Sequence, residues 1–238
     1  MRDPVLYVPL LTTLLALGFT AALLSRYRAK GGMHLLWWGL GTATYALGTA
    51  TEAATTLLGW HAPVFRLWYI AGALLGGAPL AQGTVYLLLP RRTADRLTAG
   101  LLTAVCIAAA LVLLAPLRLE LVETHRLSGR VLGWPWVRAF SPFINLYAFV
   151  FLVGGAALSA WRYARRTDTL YRAVGNVLIA LGALLPGIGG TFTRFGHTDV
   201  LYVTEFLGLC LLWAGYRTIV SRSTNGVSHV PQPVAVAR

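Results

Sequence analysis

Residues 97–115 read LTAGLLTAVCIAAALVLLA, an apolar run without a single charged side chain. Arg91, Arg92 and Arg96 stand before it and Arg118 follows it. An α-helix rises 1.5 Å per residue, so a hydrocarbon core of about 30 Å calls for roughly 20 such residues. Stretches of the same kind recur near 5–25, 34–58, 67–89, 139–161, 171–192 and 199–220. Seven in all, they predict an all-α integral membrane protein with seven transmembrane helices, because an isolated span must satisfy its backbone polar groups internally. Composition agrees. The 238-residue chain is 57% hydrophobic and 12% charged, with a mean hydropathy of +0.65, whereas soluble domains carry about 25% charged residues. Residues 1–222 are read as the bundle, and 223–238, rich in Ser, Pro and Val, as a flexible cytoplasmic tail.

The net charge is +12. In a soluble domain this would point to nucleic acid, but arginines at span ends set topology and meet anionic headgroups, so no nucleic-acid partner is expected. Arg26, Arg28 and Lys30 follow span one, Arg91, Arg92 and Arg96 follow span three, and Arg162, Arg165, Arg166 and Arg172 follow span five. Arg217 and Arg222 close span seven. The other side carries Arg2, Arg66, Arg118, Arg126, Arg130, Arg138 and Arg194, mostly in the single long connection 116–138. The positive-inside rule then places the N-terminus outside and the C-terminus in the cytoplasm. The first stretch ends in Ser25-Arg26-Tyr27-Arg28 and lacks a small-residue cleavage site, so it reads as a retained span. The expected location is a plasma (inner) membrane, and the bias to arginine, alanine, leucine and glycine suggests a bacterial source.

Sliding the chain so that Gly18 meets Gly154 also aligns Arg26-Tyr27 with Arg162-Tyr163, Gly39 with Gly175, His61 with His197 and Gly72 with Gly208. This suggests a parallel 3+1+3 helix repeat, with span four as linker; chance matches in a glycine-rich composition are the alternative. Trp37-Trp38, Trp68-Tyr69, Trp134-Pro135-Trp136 and Trp161 are placed as interfacial anchors. Glycines recur at close-packing intervals in spans two, three and six. Kinks are expected near Pro79, Pro142 and Pro186. The connection 116–138 is read as a short amphipathic helix or hairpin over the outer mouth.

Chemistry inside the bundle rests on few groups. The only lysine is Lys30, in a basic turn, which excludes a retinal Schiff base and restricts any lipid or pigment to non-covalent binding. HExxH, GxSxG, phosphate-loop and CxxC patterns are absent, so no catalytic residue is assigned and the chain is not read as an enzyme. The histidines and acids lack metal-ligand spacing, so no metal site is assigned. Glu52 in span two and Glu205 in span seven are the only acids within spans. Each stands about six residues from the outer end, roughly 9 Å along the axis, so they share a depth. Charges there are costly and normally turn inward. One reading is an outward-facing ligand chamber lined by Glu52, Glu205, Arg194, Tyr69 and Tyr202, with Tyr45 on the Glu52 face of its helix. The other is a packing lock in which the acids bond threonines such as Thr49, Thr51, Thr55 and Thr56.

Span two carries Tyr45-Ala46-Leu47-Gly48 and Glu52, span three Phe65, Tyr69, Gly72 and Pro79, and span six Gly182-Ala183-Leu184-Leu185-Pro186. Together these resemble the seven-helix N-terminal sensor modules of bacterial histidine kinases. The resemblance implies a sensory bundle with its N-terminus outside. The chain departs from that pattern in carrying no kinase domain after Arg222, so an output domain would be a separate chain. Three functions follow from these features. The first is a sensor-like or ligand-binding protein that takes a small or lipid-like molecule in the outer half and acts through a cytoplasmic or membrane signalling partner. The second is a small proton-coupled transporter built on the repeat, and the third a structural subunit of a membrane complex. The bilayer is the expected partner in every case, and a homo-oligomer is compatible with each.

Overall fold

The structure, a computed structural model, describes residues 4–124 and 126–225. These form seven long helices: α1 Val8–Lys30, α2 Met33–Leu58, α3 Ala62–Leu88, α4 Arg91–Leu114, α5 Pro135–Ala164, α6 Thr167–Phe192 and α7 Thr198–Asn225. Of the expected tail, 223–225 continue α7, and 226–238 lie outside the described residues. The third span begins earlier than its apolar run suggested, at Ala62.

Six of the helices are long and apolar enough to cross a membrane. The exception is α2, whose average is diluted by threonines, glycines and Glu52. It is also among the most enclosed, with Gly39, Thr42, Ala46, Thr49, Glu52 and Ala53 all buried. A helix walled in by others does not have to be soluble in lipid, so its polarity reports its place in the bundle. The architecture is that of an all-α, multi-pass membrane protein.

Six helices close a ring in the order α1, α2, α3, α5, α6, α7, with α7 returning to α1, and α4 lies outside against α3 and α5. Hydroxyl pairs join α1 to α2: Thr13 and Thr49 lie 2.9 Å apart, and Thr20 donates to Thr42 at 2.8 Å. Phe19 stacks on Trp213 to join α1 to α7, with centroids 5.3 Å apart. Between α6 and α7 the packing is backbone to backbone. A Cβ on Gly182 would lie 2.5 Å from the Gly208 carbonyl oxygen, and one on Gly215 equally close to that of Gly175. Small residues permit this approach, as in other membrane helix pairs.

Two helices depart from α geometry. In α3, Ala62–Trp68 passes into a π-helical stretch, Tyr69–Leu75, and breaks at Gly76-Gly77 before Ala78–Leu88 resumes. Pro79 lacks an N–H and its ring crowds the preceding turn, which favours a break ahead of it. Gly76 takes φ +44, a conformation open to glycine. In α5 the irregular stretch is Phe149–Gly154, not Pro142, which sits in the first turn of Phe140–Ala148 where proline is tolerated. Pro186 lies inside a continuous α6.

The connection between α4 and α5 is a hairpin-like cap with two 3-10 turns, Leu119–Leu121 and Gly129–Val131. Arg118 N–H donates to the Val131 carbonyl at 2.8 Å and Gly133 N–H to Pro116 at 2.7 Å. Its Val131 and Leu132, with Val137 of the first turns of α5, pack with Phe65, Tyr69 and Val112 into a second apolar core. Arg66 donates to the carbonyls of Val112, Leu113 and Ala115, capping the open end of α4. The end of the bundle under this cap is the loop end. The basic clusters near 26–30, 91–96, 162–172 and 217–222 gather at the other.

Candidate functional site

Beneath the cap, α2, α3, α5, α6 and α7 enclose a cavity of about 1080 Å³. Glu52, Glu205, Tyr45, Tyr69 and Tyr202 all line it. The side chain of Arg194, in the turn Thr193–Phe195, lies outside the described residues.

Glu52 is 5% exposed. Its Oε1 accepts a hydrogen bond from Trp68 Nε1 at 3.1 Å. The carboxyl groups of Glu52 and Glu205 lie within hydrogen-bonding reach of each other across the α2–α7 gap. Oε2 of each is buried and meets no donor among the described residues. Carboxyl oxygens this close are accommodated by a shared proton or by the N–H or O–H of a further group. Tyr45 donates to the Glu205 backbone carbonyl at 3.0 Å, which fixes the turn of α7 that carries the acid. Tyr202 is 4% exposed, with its hydroxyl near Thr56.

The threonines of α2 do not hold the acids. Thr51 donates to the Gly48 carbonyl at 2.5 Å and Thr55 to the Thr51 carbonyl at 2.9 Å, both within their own helix. Thr49 reaches Thr13. A hydroxyl in a helix finds its i−3 or i−4 carbonyl more readily than a neighbour one position away. The packing lock through threonines is therefore replaced by a single indole, and Trp68, expected at the interface, turns inward. Glu52 and Trp68 stand equally far from the turn that joins Leu58 to Ala62, so hairpin symmetry was the available signal for this pair.

Side chains around the acids are held by further polar contacts. Tyr69 Oη accepts from Ser141 Oγ at 3.4 Å. Asn145 Nδ2 donates to the Ala73 carbonyl at 3.1 Å, in the π-helical stretch where intrahelical pairing is disturbed. At the mouth, Arg126 pairs with Glu123 at 3.3 Å and donates to the Thr193 carbonyl at 2.8 Å, tying the cap to the end of α6. Arg130 and Arg138 also line the cavity and are exposed. The floor is apolar, formed by Leu80, Leu152 and Leu212.

The wall is incomplete on one side. α5 packs on α6 through Phe149–Gly154 and Gly155–Ala164, whereas Phe140–Ala148 packs on α3. Asn145 and Phe149 of α5 and Gly187 and Thr191 of α6 line the cavity yet are exposed, so it opens between these helices.

A second polar cluster lies nearer the other end. Gln82, fully buried, donates to Thr98 at 2.7 Å and to the Ala94 carbonyl at 3.2 Å, and accepts from Tyr147. Thr98 donates to Tyr86 at 3.0 Å, and Tyr86 to Asp95 at 2.7 Å. Every member finds a partner, as in a structural network that fixes α4 against α3 and α5. Among the described residues no three His, Cys, Asp or Glu side chains come together to hold a metal. No known protein family, curated protein or solved structure matches the chain.

Proposed function

We propose that the protein is a membrane ligand-binding or sensor-like module, and that the cavity at the loop end is its ligand chamber. One observation carries the reading: carboxyl groups from two separate helices meet inside a roomy cavity, with an oxygen on each that meets no donor among the described residues. Buried polar groups left unpaired cost stability, so such an arrangement is maintained for a task. The arginine distribution supports an N-out topology in a plasma (inner) membrane of a bacterial cell, with the loop end facing outside. The resemblance to sensor modules of histidine kinases supports signalling through a separate partner docked at the arginine-rich end.

Native mass spectrometry of the purified chain in nanodiscs tests this. Gly190 lines the cavity and has open space where a Cβ would stand. A Gly190→Phe substitution therefore places a bulky ring at the chamber wall without a clash at its Cβ. The expected result is a bound small molecule on the natural chain that is missing from the filled variant. An unliganded natural chain under every condition, or a species retained equally by both, would end the reading.

A second reading, a proton-coupled transporter, is favoured by the break in α3 at Gly76-Gly77, which line the same cavity as the acids. Discontinuous helices at a binding site are a feature of transporters. The ring order, with α4 outside two groups of three helices, supports the 3+1+3 repeat on which that reading is built.

A further inference from the structure

The chamber carries charge of opposite sign at its two levels, and on the ligand-chamber reading this defines what fits. We propose that it recognises a zwitterion, with an ammonium group between Glu52 and Glu205 and an anionic group toward Arg130 and Arg138.

The deep level is made for a cation. The two facing carboxyl oxygens meet no donor among the described residues, and an ammonium offers three. Around them stand the rings of Tyr45, Trp68 and Tyr202, all in the cavity wall. Aromatic faces attract ammonium ions through their quadrupole, most strongly where water is excluded. Glu52 Oε1 is already engaged by Trp68, and Oε2 meets no donor among the described residues.

The mouth is made for an anion. Its charged side chains are Glu123, Arg126, Arg130 and Arg138. Arg126 is committed to Glu123 and the Thr193 carbonyl. Arg130 and Arg138 form no ion pair among the described residues. A simple amine would be repelled at the mouth, and a simple carboxylate would be repelled at depth. A molecule bearing both charges is complementary to both levels, and such complementarity is what separates partners from near-partners. Two sources supply this chemistry: a free amino-acid-like solute, or the headgroup of a zwitterionic phospholipid entering between α5 and α6.

The test titrates ω-amino acids of four to twelve carbons, with the alkylamine and the alkanoate of each length, into the full chain in phosphatidylglycerol nanodiscs. Tryptophan fluorescence reads occupancy through Trp68, and calorimetry confirms it. The expected result is an amino acid of some length that binds about tenfold or more tightly than either single-charge analogue, since charge-assisted contacts are made at both ends. Glu52→Gln and Glu205→Gln should each remove its advantage over the alkanoate. Arg138→Gln, at an exposed position where folding is not at risk, should remove its advantage over the amine. Replacing the lipid by phosphatidylethanolamine weakens the probe if the natural source is a headgroup and leaves it unchanged if the source is a solute.

Alkanoates binding as tightly as amino acids, an Arg138→Gln variant with unaltered preference, or no binding at any length would overturn the proposal. A bound molecule of another class in the mass spectrum would sink the zwitterion while leaving the chamber in place; an empty, unfilled chamber would sink both.

Discussion

The α6–α7 seam offers the sharpest test of how this bundle is held. Replacing Gly182 by alanine puts a Cβ 2.5 Å from the Gly208 carbonyl oxygen and 2.8 Å from the Leu212 nitrogen. Both are backbone atoms of α7, so no side chain can swing aside. Even a close carbon–oxygen contact needs about 3.3 Å, so the helices must separate by roughly 0.8 Å. A gap of that size forfeits a quarter to a half of each dispersion contact along the seam, including the Gly175–Gly215 approach. Overpacking of this kind costs about 1–3 kcal/mol, partly offset by the roughly 1 kcal/mol that alanine gains over glycine as a helix former. The control is Gly187→Ala on the same helix, where a Cβ meets open space. It keeps the propensity gain without the clash, so the two variants should differ by about 1–3 kcal/mol. Reversible unfolding in mixed micelles, followed by far-ultraviolet circular dichroism, measures the difference. Equal stability of the two variants would refute the backbone-contact account of the seam.

Two further perturbations probe the polar contacts. Gln82→Leu takes from the Tyr147 hydroxyl its acceptor in the interior and should destabilise the chain by about 2 kcal/mol in the same unfolding assay, because a stranded buried group bears the desolvation penalty. Arg66→Met uncaps the last carbonyls of α4 and should cost about 1–2 kcal/mol. Amide exchange should rise in the last turn of α4 and in the cap that packs on it, with the rest of the bundle unchanged.

Much of the architecture was written in hydropathy. Apolar runs of bilayer length located seven helices, and their ends moved mostly by a few residues where frayed or polar turns extend beyond the hydrocarbon. α2 shows the limit of that signal, since its threonines, glycines and Glu52 lower the average of a helix that other helices enclose. The expected kink at Pro142 failed because a proline in the first turn lacks only an N–H that had no partner anyway. The break near Pro79 was legible; its form, a π-helical stretch ending in a left-handed Gly76, was not.

The site was legible by depth alone. Counting residues from the span ends puts Glu52 and Glu205 at one level, and Tyr45 falls on the Glu52 face by helical period. The partners were hidden because they come from other helices: Trp68 from α3, and Arg130 and Arg138 from the cap and the first turns of α5.

Residue order by itself determined that helices form and how long they are, because lipid leaves a span no other way to pair its backbone. Which faces meet was decided only in three dimensions. The rotation of each helix about its axis depends on glycine contacts such as Gly182 with Gly208 and on the single bond from Trp68 to Glu52. Those contacts join residues on different helices, and the period of a single helix does not encode them.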